Sequence, residues 1–464
     1  MQGLAPEIRA MARLAAPLAL AQLAQIAMGT TDTILLGSLG RDALAAGGLG
    51  ANLYFTLMVV VAGGLSALGI LVAHARGAAD EARIGRILRG GFLLALVAAL
   101  PPMLLLSQAE PILLTIGEPA PLAHAIGEYD RVLLFAFPAS LLMAAQRAFL
   151  AAVGRPGMVM TVALVAVGVN GVLNYGLIHG AWGLPRLGYI GSCTATLITL
   201  WAMAAAIGLE MRCVRALDAY RLWGAVDWKA VIELSRLGWP IAVTIGIEIF
   251  LFSFSALIIG RFGATPLAAH QIAITVASTT FMVPLAIAQA ANVRVGFYMG
   301  AEAPRAARRA ALAAFLLGVG FMSLTAAALL TLPAEIAALY ISAGDPNRVA
   351  VTGLAVQLLT IAAVFQIFDG VQTIAAGALR GLKDTLIPAL AAGIGYWAIG
   401  FTIAWVLGIR MGMGAPGIWW GLAAGLASVA ILLSARFWKL SGRMIGTTES
   451  GRQFSRTGTL PAAR

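Results

Sequence analysis

Charge is what this chain has least of. Only 11% of its 464 residues are Asp, Glu, Lys or Arg, and 60% are apolar; an ordinary soluble domain carries about a quarter charged residues. With a mean hydropathy of +0.90, that shortage excludes a soluble globular protein and indicates a polytopic membrane protein. Cysteine is nearly missing as well. Cys193 and Cys213 show no CxxC or metal-type spacing, which argues against a disulfide framework or a thiolate metal site. The four histidines, His74, His124, His179 and His270, pair with no acid at ligand spacing. No HExxH, GxxxxGK[ST] or GxSxG occurs. Metalloenzyme, ATP-driven pump and intramembrane protease therefore lose support, and the chain is expected to be no enzyme and to need no cofactor.

What the chain does have is long apolar runs. Stretches able to span a bilayer fall at about 12–38, 45–74, 88–108, 131–153, 158–179 and 189–210, and again at about 237–260, 267–298, 310–331, 350–379, 386–408 and 416–437. Period-2 alternation is lacking, so twelve helices are predicted rather than barrel strands. All but six of the 31 basic residues (Arg41, Arg131, Arg186, Arg261, Arg348 and Arg410) lie on one side. The positive-inside rule puts both termini there, in the cytoplasm. Topology thus accounts for the net charge of +11, and nucleic acid drops out as a partner. The predicted organisation is a six-helix lobe over 1–210, a cytoplasmic connection over 211–236, a second six-helix lobe over 237–440 and a disordered tail over 441–464.

The two lobes are related. At a constant offset of 223 residues, Pro17 meets Pro240, Gly37 meets Gly260, Gly40 meets Gly263, Gly77 meets Gly300 and Arg86 meets Arg309. Glycines, prolines and loop arginines holding one register over three spans indicate a duplication. Six helices per unit make it parallel, with a pseudo-twofold along the membrane normal and a substrate site expected between the halves. Pro17 and Pro240 are read as lying in the first turns of their helices.

Three acids fall inside the predicted spans: Asp32, Glu248 and Asp369. A charged residue at that depth costs about 2.5–3.5 kcal/mol on insertion scales, so such residues usually face a cavity and carry ions, protons or substrate. Under the repeat, Asp32 corresponds to Ser255 and Glu248 to Gln25. The seven-residue spacing within each pair places its members on one helix face. Gln366, Asp369 and Gln372 follow i, i+3, i+6 spacing, and Asn170 and Asn174 are i, i+4. Carboxylate, amide and hydroxyl oxygens suit a hard cation such as Na⁺, and a desolvated carboxylate equally suits a proton carrier. Both coupling ions stay open.

These residues are also familiar as a set. The first helix "LAAPLALAQLAQIAMGTTDTILLGSLG", the loop "ARGAADEAR" and the segments "NGVLNYGLIHG" and "GALRGLKDT" resemble the multidrug and toxic compound extrusion (MATE) family over essentially the whole chain. The combination of Asp32, Glu248 and Asp369 is similar to its NorM branch; the DinF branch carries an aspartate where this chain has Asn174. The resemblance implies a V-shaped pair of six-helix lobes in a bacterial inner membrane and a monomer surrounded by membrane lipids. It implies efflux of amphipathic organic cations, drugs or toxins, against inward Na⁺ or H⁺. Glu248 and Asp369 would form the second-lobe cation site, and Asp32 would be required for function. The alternative on the same fold is a flippase for a lipid-linked sugar. It would need cavity cations, for which Arg147 and Arg294 are the only candidates.

Overall fold

The computed structural model describes residues 3–457 apart from 221, 223, 343 and 345. The described residues form helices and no strands. In chain order the spans are α1 (Leu4–Gly37), α2 (Arg41–Gly77), α3 (Glu81–Ser107), α4 (Ala120–Leu133 with Ala136–Ala152), α5 (Pro156–His179), α6 (Tyr189–Cys213), α7 (Trp228–Gly260), α8 (Ala264–Gly300), α9 (Pro304–Thr331), α10 (Arg348–Gly381), α11 (Leu386–Arg410) and α12 (Ala415–Thr457). Eleven are long and apolar enough to cross a membrane singly; α4, bent by 50° between its two helices, makes the twelfth. Helices are the only open-ended way to satisfy every backbone group in lipid.

Several boundaries differ from those predicted. Hydropathy detects where a helix becomes apolar, not where its hydrogen bonding begins. Helix α1 starts at Leu4 and α7 at Trp228, so Pro17 and Pro240 lie well inside their helices rather than in the first turns. Each removes an internal N–H, and near the second Thr244 Oγ1 donates back to the Pro240 carbonyl at 2.8 Å. The connection between lobes shortens, because α6 runs to Cys213 and α7 begins at Trp228. The tail also differs: helix α12 continues past 441 to Thr457, since extending a formed helix needs no new nucleus and no proline intervenes before Pro461. Residues 458–464 lie outside those described.

The repeat is visible in the geometry. Gly40 and Gly263 precede α2 and α8 with φ of 109° and 116°, a conformation open to glycine at little cost. The lobes meet through α1, α2 and α3 of the first and α7, α8 and α9 of the second. A Cβ on Gly77 would strike the Phe297 carbonyl oxygen, and one on Gly300 would strike that of His74. His74 and Phe297 are themselves 223 positions apart, so the two contacts are pseudo-twofold mates. Polar contacts strengthen this arginine-rich end. Arg83 and Lys383 both reach Glu233, at 3.0 and 3.4 Å, and His74 Nε2 lies 2.8 Å from the Gly381 carbonyl.

Candidate functional site

In the second lobe α7, α10 and α11 bring two carboxylates to one amide. Gln372 Nε2 donates to Glu248 Oε1 at 3.0 Å and to Asp369 Oδ1 at 3.1 Å. The i, i+3 spacing of Asp369 and Gln372 places them on one face of α10, and Glu248 approaches from α7. Tyr396 of α11 donates its hydroxyl to Gln372 Oε1 at 2.5 Å. That bond fixes the amide with its NH₂ toward the acids. Asp369, Gln372 and Tyr396 are buried, while Glu248 is partly exposed and feels the attraction of Arg380. Two carboxylates sharing one neutral donor, with Arg380 the single cation acting on Glu248, are short of compensation for two negative charges. They are set to take up a cation, whether a proton or a hard ion with oxygen ligands.

Tyr396 owes its position to an unusual backbone. Residues Ile394–Phe401 form a π-helical stretch within α11, a departure frequent at functional sites. Trp397, the next residue, stacks on Phe250 with ring centroids 5.4 Å apart, and Phe254 and Phe401 extend the cluster. Gly238, Ala242, Ile245 and Gly246 are the α7 residues that meet α2. Phe250, one turn beyond Gly246, is 60% exposed. An aromatic cluster therefore stands on the second lobe, linked to the carboxylates through Tyr396, the residue before Trp397.

The first lobe holds a separate cluster. Asp32 of α1 accepts a short bond from Asn174 Nδ2 of α5, and its other oxygen accepts from Thr196 Oγ1 of α6 at 2.9 Å. Asn170, one turn before Asn174, is fully buried. Asp32 thus sits with Asn174 and Thr196, apart from Glu248 and Asp369.

Other predicted members sit elsewhere. Ser255 is buried but donates to its own Leu251 carbonyl at 2.8 Å, the usual way a helical serine satisfies its hydroxyl in an apolar setting. Gln366 accepts from Thr280 of α8 at 3.2 Å and makes no bond to the carboxylates. Gln25 meets Arg147 at 3.5 Å rather than Asp32. Sequence reasoning missed Thr196 and Tyr396, whose residue types carry no signal in membrane helices. It also missed Asp130, which lies in the first arm of α4, one residue before the predicted span.

The fold matches solved MATE transporters. The eukaryotic MATE transporter AtDTX14 superposes with a TM-score of 0.86 at 21% identity, covering 96% of this chain and 99% of that one. An outward-facing multidrug resistance MATE transporter of the MOP superfamily gives 0.84 at 19% identity, over 94% and 96%. A family model described as MatE matches twice, at residues 17–176 and 240–406, one match per lobe. The chain is 52% identical over 437 residues to the probable multidrug resistance protein NorM of Burkholderia mallei (strain ATCC 23344), covering 93% of each. It is 53% identical over 428 residues to the multidrug resistance protein NorM of Burkholderia vietnamiensis, covering 92% of each. The class is a two-lobed polytopic membrane transporter, not an enzyme. This chain belongs to the MATE family, in its NorM-like branch.

Proposed function

We propose that the protein exports amphipathic organic cations from a bacterial cytoplasm by antiport with Na⁺ or H⁺, working as a monomer in the inner membrane with both termini cytoplasmic. The observation that carries this reading is the pair Glu248 and Asp369, held on one amide that Tyr396, the neighbour of Trp397 in the aromatic cluster, orients. A flat cation is attracted by ring faces and carboxylates together; a coupling ion is attracted by the carboxylates alone. Competition for the same negative charge lets entry of the ion release the drug. The lobes alternate between two closures, and each ligand stabilises the closure it prefers.

The energetics are adequate. A potential of 100 mV supplies about 2.3 kcal/mol per charge moved, and each 1.4 kcal/mol is about tenfold in accumulation. The relatives named for multidrug resistance support the cargo class. The flippase alternative gains nothing from Arg294, which is already engaged by Glu7.

The test is reconstitution with a fluorescent organic cation under an inward Na⁺ gradient or a pH gradient, applied singly, with Asp369→Asn alongside. Uphill movement under one gradient that the variant abolishes supports antiport and names the ion. Wild type and variant behaving alike, with neither gradient effective, would remove the reading.

A further inference from the structure

Asp130 has no role in the mechanism above, yet it is the least compensated acid in the first lobe. It is 0% exposed, and neither carboxyl oxygen has a hydrogen-bond partner among the described residues. Its neighbour in sequence, Arg131, directs its guanidinium to Glu110 at 2.6 Å and so does not serve as a counter-ion. The titratable side chains near it are Tyr129 of α4 and Cys193 of α6, with Asp32 of α1 beyond Tyr129; Tyr54 of α2, one turn from Gly50, bonds Ser140, and Arg41 and Asp42 lie at the far start of α2. Glu110, His124 and Glu128 gather at the outer rim, where Tyr189 donates to Glu128 at 2.5 Å. Apart from Arg131 and Arg41, none of these except protonated His124 is cationic, and His124 lies 3.0 Å from Glu110. An ionised carboxylate in such a place is untenable, because burial of an unpaired charge costs far more than keeping the proton. Asp130 is therefore a neutral acid in this conformation.

Two features tie that acid to movement. It lies against Gly50 of α2, where a Cβ would fall 2.9 Å from Asp130 Oδ1 and 2.8 Å from the Tyr129 ring. Helix α2 also carries Gly63, Gly64 and Gly77, which meet the second lobe. The 50° bend of α4 follows within a turn, between Leu133 and Ala136. Helix α2 thus both covers Asp130 and bears the glycines of the inter-lobe contact.

We propose that Asp130 is a proton-exchanging carboxyl group of the first lobe, distinct from Asp32, that gives up its proton to water when α2 moves away and regains it when α2 returns. The carboxylic acid becomes carboxylate plus one released proton, with no other reactant. This rests on the antiport reading above and adds a second protonation site to it.

The experiment is infrared difference spectroscopy on the full-length reconstituted protein, reading the carboxylic-acid C=O band and using the same fluorescent cation as probe. Wild type minus Asp130→Asn should show a protonated-acid component, and adding the cation to wild type should bleach that component. Uptake driven by a pH gradient should fall about tenfold or more in Asp130→Asn, with an unchanged melting temperature. If the component is missing at rest, or persists in the cation-loaded protein, the proposal is overturned. Asp130→Glu retains the acid and moves the band, so the test survives if the amide variant fails to fold. Failure of antiport itself would show separately, as wild-type uptake indifferent to either gradient while the band behaves as described.

Discussion

Glu7 on α1 and Arg294 on α8 join the two lobes by a two-pronged ion pair. Arg294 Nε donates to one carboxylate oxygen in a short bond, and its terminal nitrogen reaches the other at 2.8 Å. Tyr298 completes the group, donating to Glu7 at 3.0 Å. Glu7 is only 6% exposed, and forked arginine–carboxylate geometry of this kind is the strong form of ion pair. It ties the two lobes together at the arginine-rich end, and in the proposed alternation of the lobes it is a contact that opening of that end would break.

Glu7→Gln should therefore favour opening at that end. The pair is intermediate between surface and buried cases, so about 1–2 kcal/mol is expected, enough to shift a two-state equilibrium by roughly 5–30-fold. Spin labels replacing Glu81 and Glu302 in a Cys213→Ser background would report it as a broadened, longer inter-lobe distance. An unchanged distance distribution would mean that other contacts carry the closure.

The reciprocal glycine contacts make a prediction of a different kind. Gly77→Ala and Gly300→Ala each place a methyl against a backbone carbonyl, of Phe297 or His74, and a backbone atom cannot swing aside as a side chain can. Both should open the same end, and by similar amounts because the contacts are pseudo-symmetric. The same spin-label pair measures this. A large difference between the two variants would show that the symmetry of the sequence is not one of energetics.

How far the sequence disclosed these features depends on which physical cue each one leaves. The repeat was legible because glycine at a positive φ or at a close crossing has no substitute, so Gly40 and Gly263, and Gly77 and Gly300, keep their register. The Asp369–Gln372 pairing was legible from spacing along one helix. Ser255 and Gln366 were equally well spaced, yet one bonds its own helix and the other bonds α8; periodicity says which residues share a face, not what that face meets. Tyr396 depends on the π-helical stretch in α11, which Gly395 and Gly400 do not single out because glycine recurs throughout the spans. Asp130 lay outside the predicted span because the first arm of α4 carries His124, Glu128 and Arg131 beside it, so the apolar signal begins only after it.

Tyr396 orients Gln372 and also lies close to Glu248, but it carries no charge of the pair itself, so its removal should tune the site rather than destroy it. Tyr396→Phe deletes one hydrogen bond, worth about 0.5–1.5 kcal/mol, and leaves Gln372 able to turn its oxygen toward the acids. Ion-driven uptake should fall about 2–10-fold, against complete loss in Asp369→Asn. The apparent affinity for the coupling ion, read from the gradient dependence of uptake, should change more than that for drug. An unaltered ion dependence would count against the amide as the organiser of the pair.

Phe250 and Trp397 give the prediction that bears on cargo. Their stacked rings, 5.4 Å apart, offer a face to a planar cation, an interaction of about 0.5–2 kcal/mol. Phe250→Ala removes the exposed member and leaves the carboxylates in place. Half-saturating concentration should rise about 2–30-fold for flat aromatic cations and little for compact aliphatic ones, with the coupling-ion dependence unchanged. The comparison of two cations of equal charge separates recognition by ring faces from recognition by charge. If both weaken equally, Phe250 supports the fold of the cleft and the drug is held by the carboxylates alone.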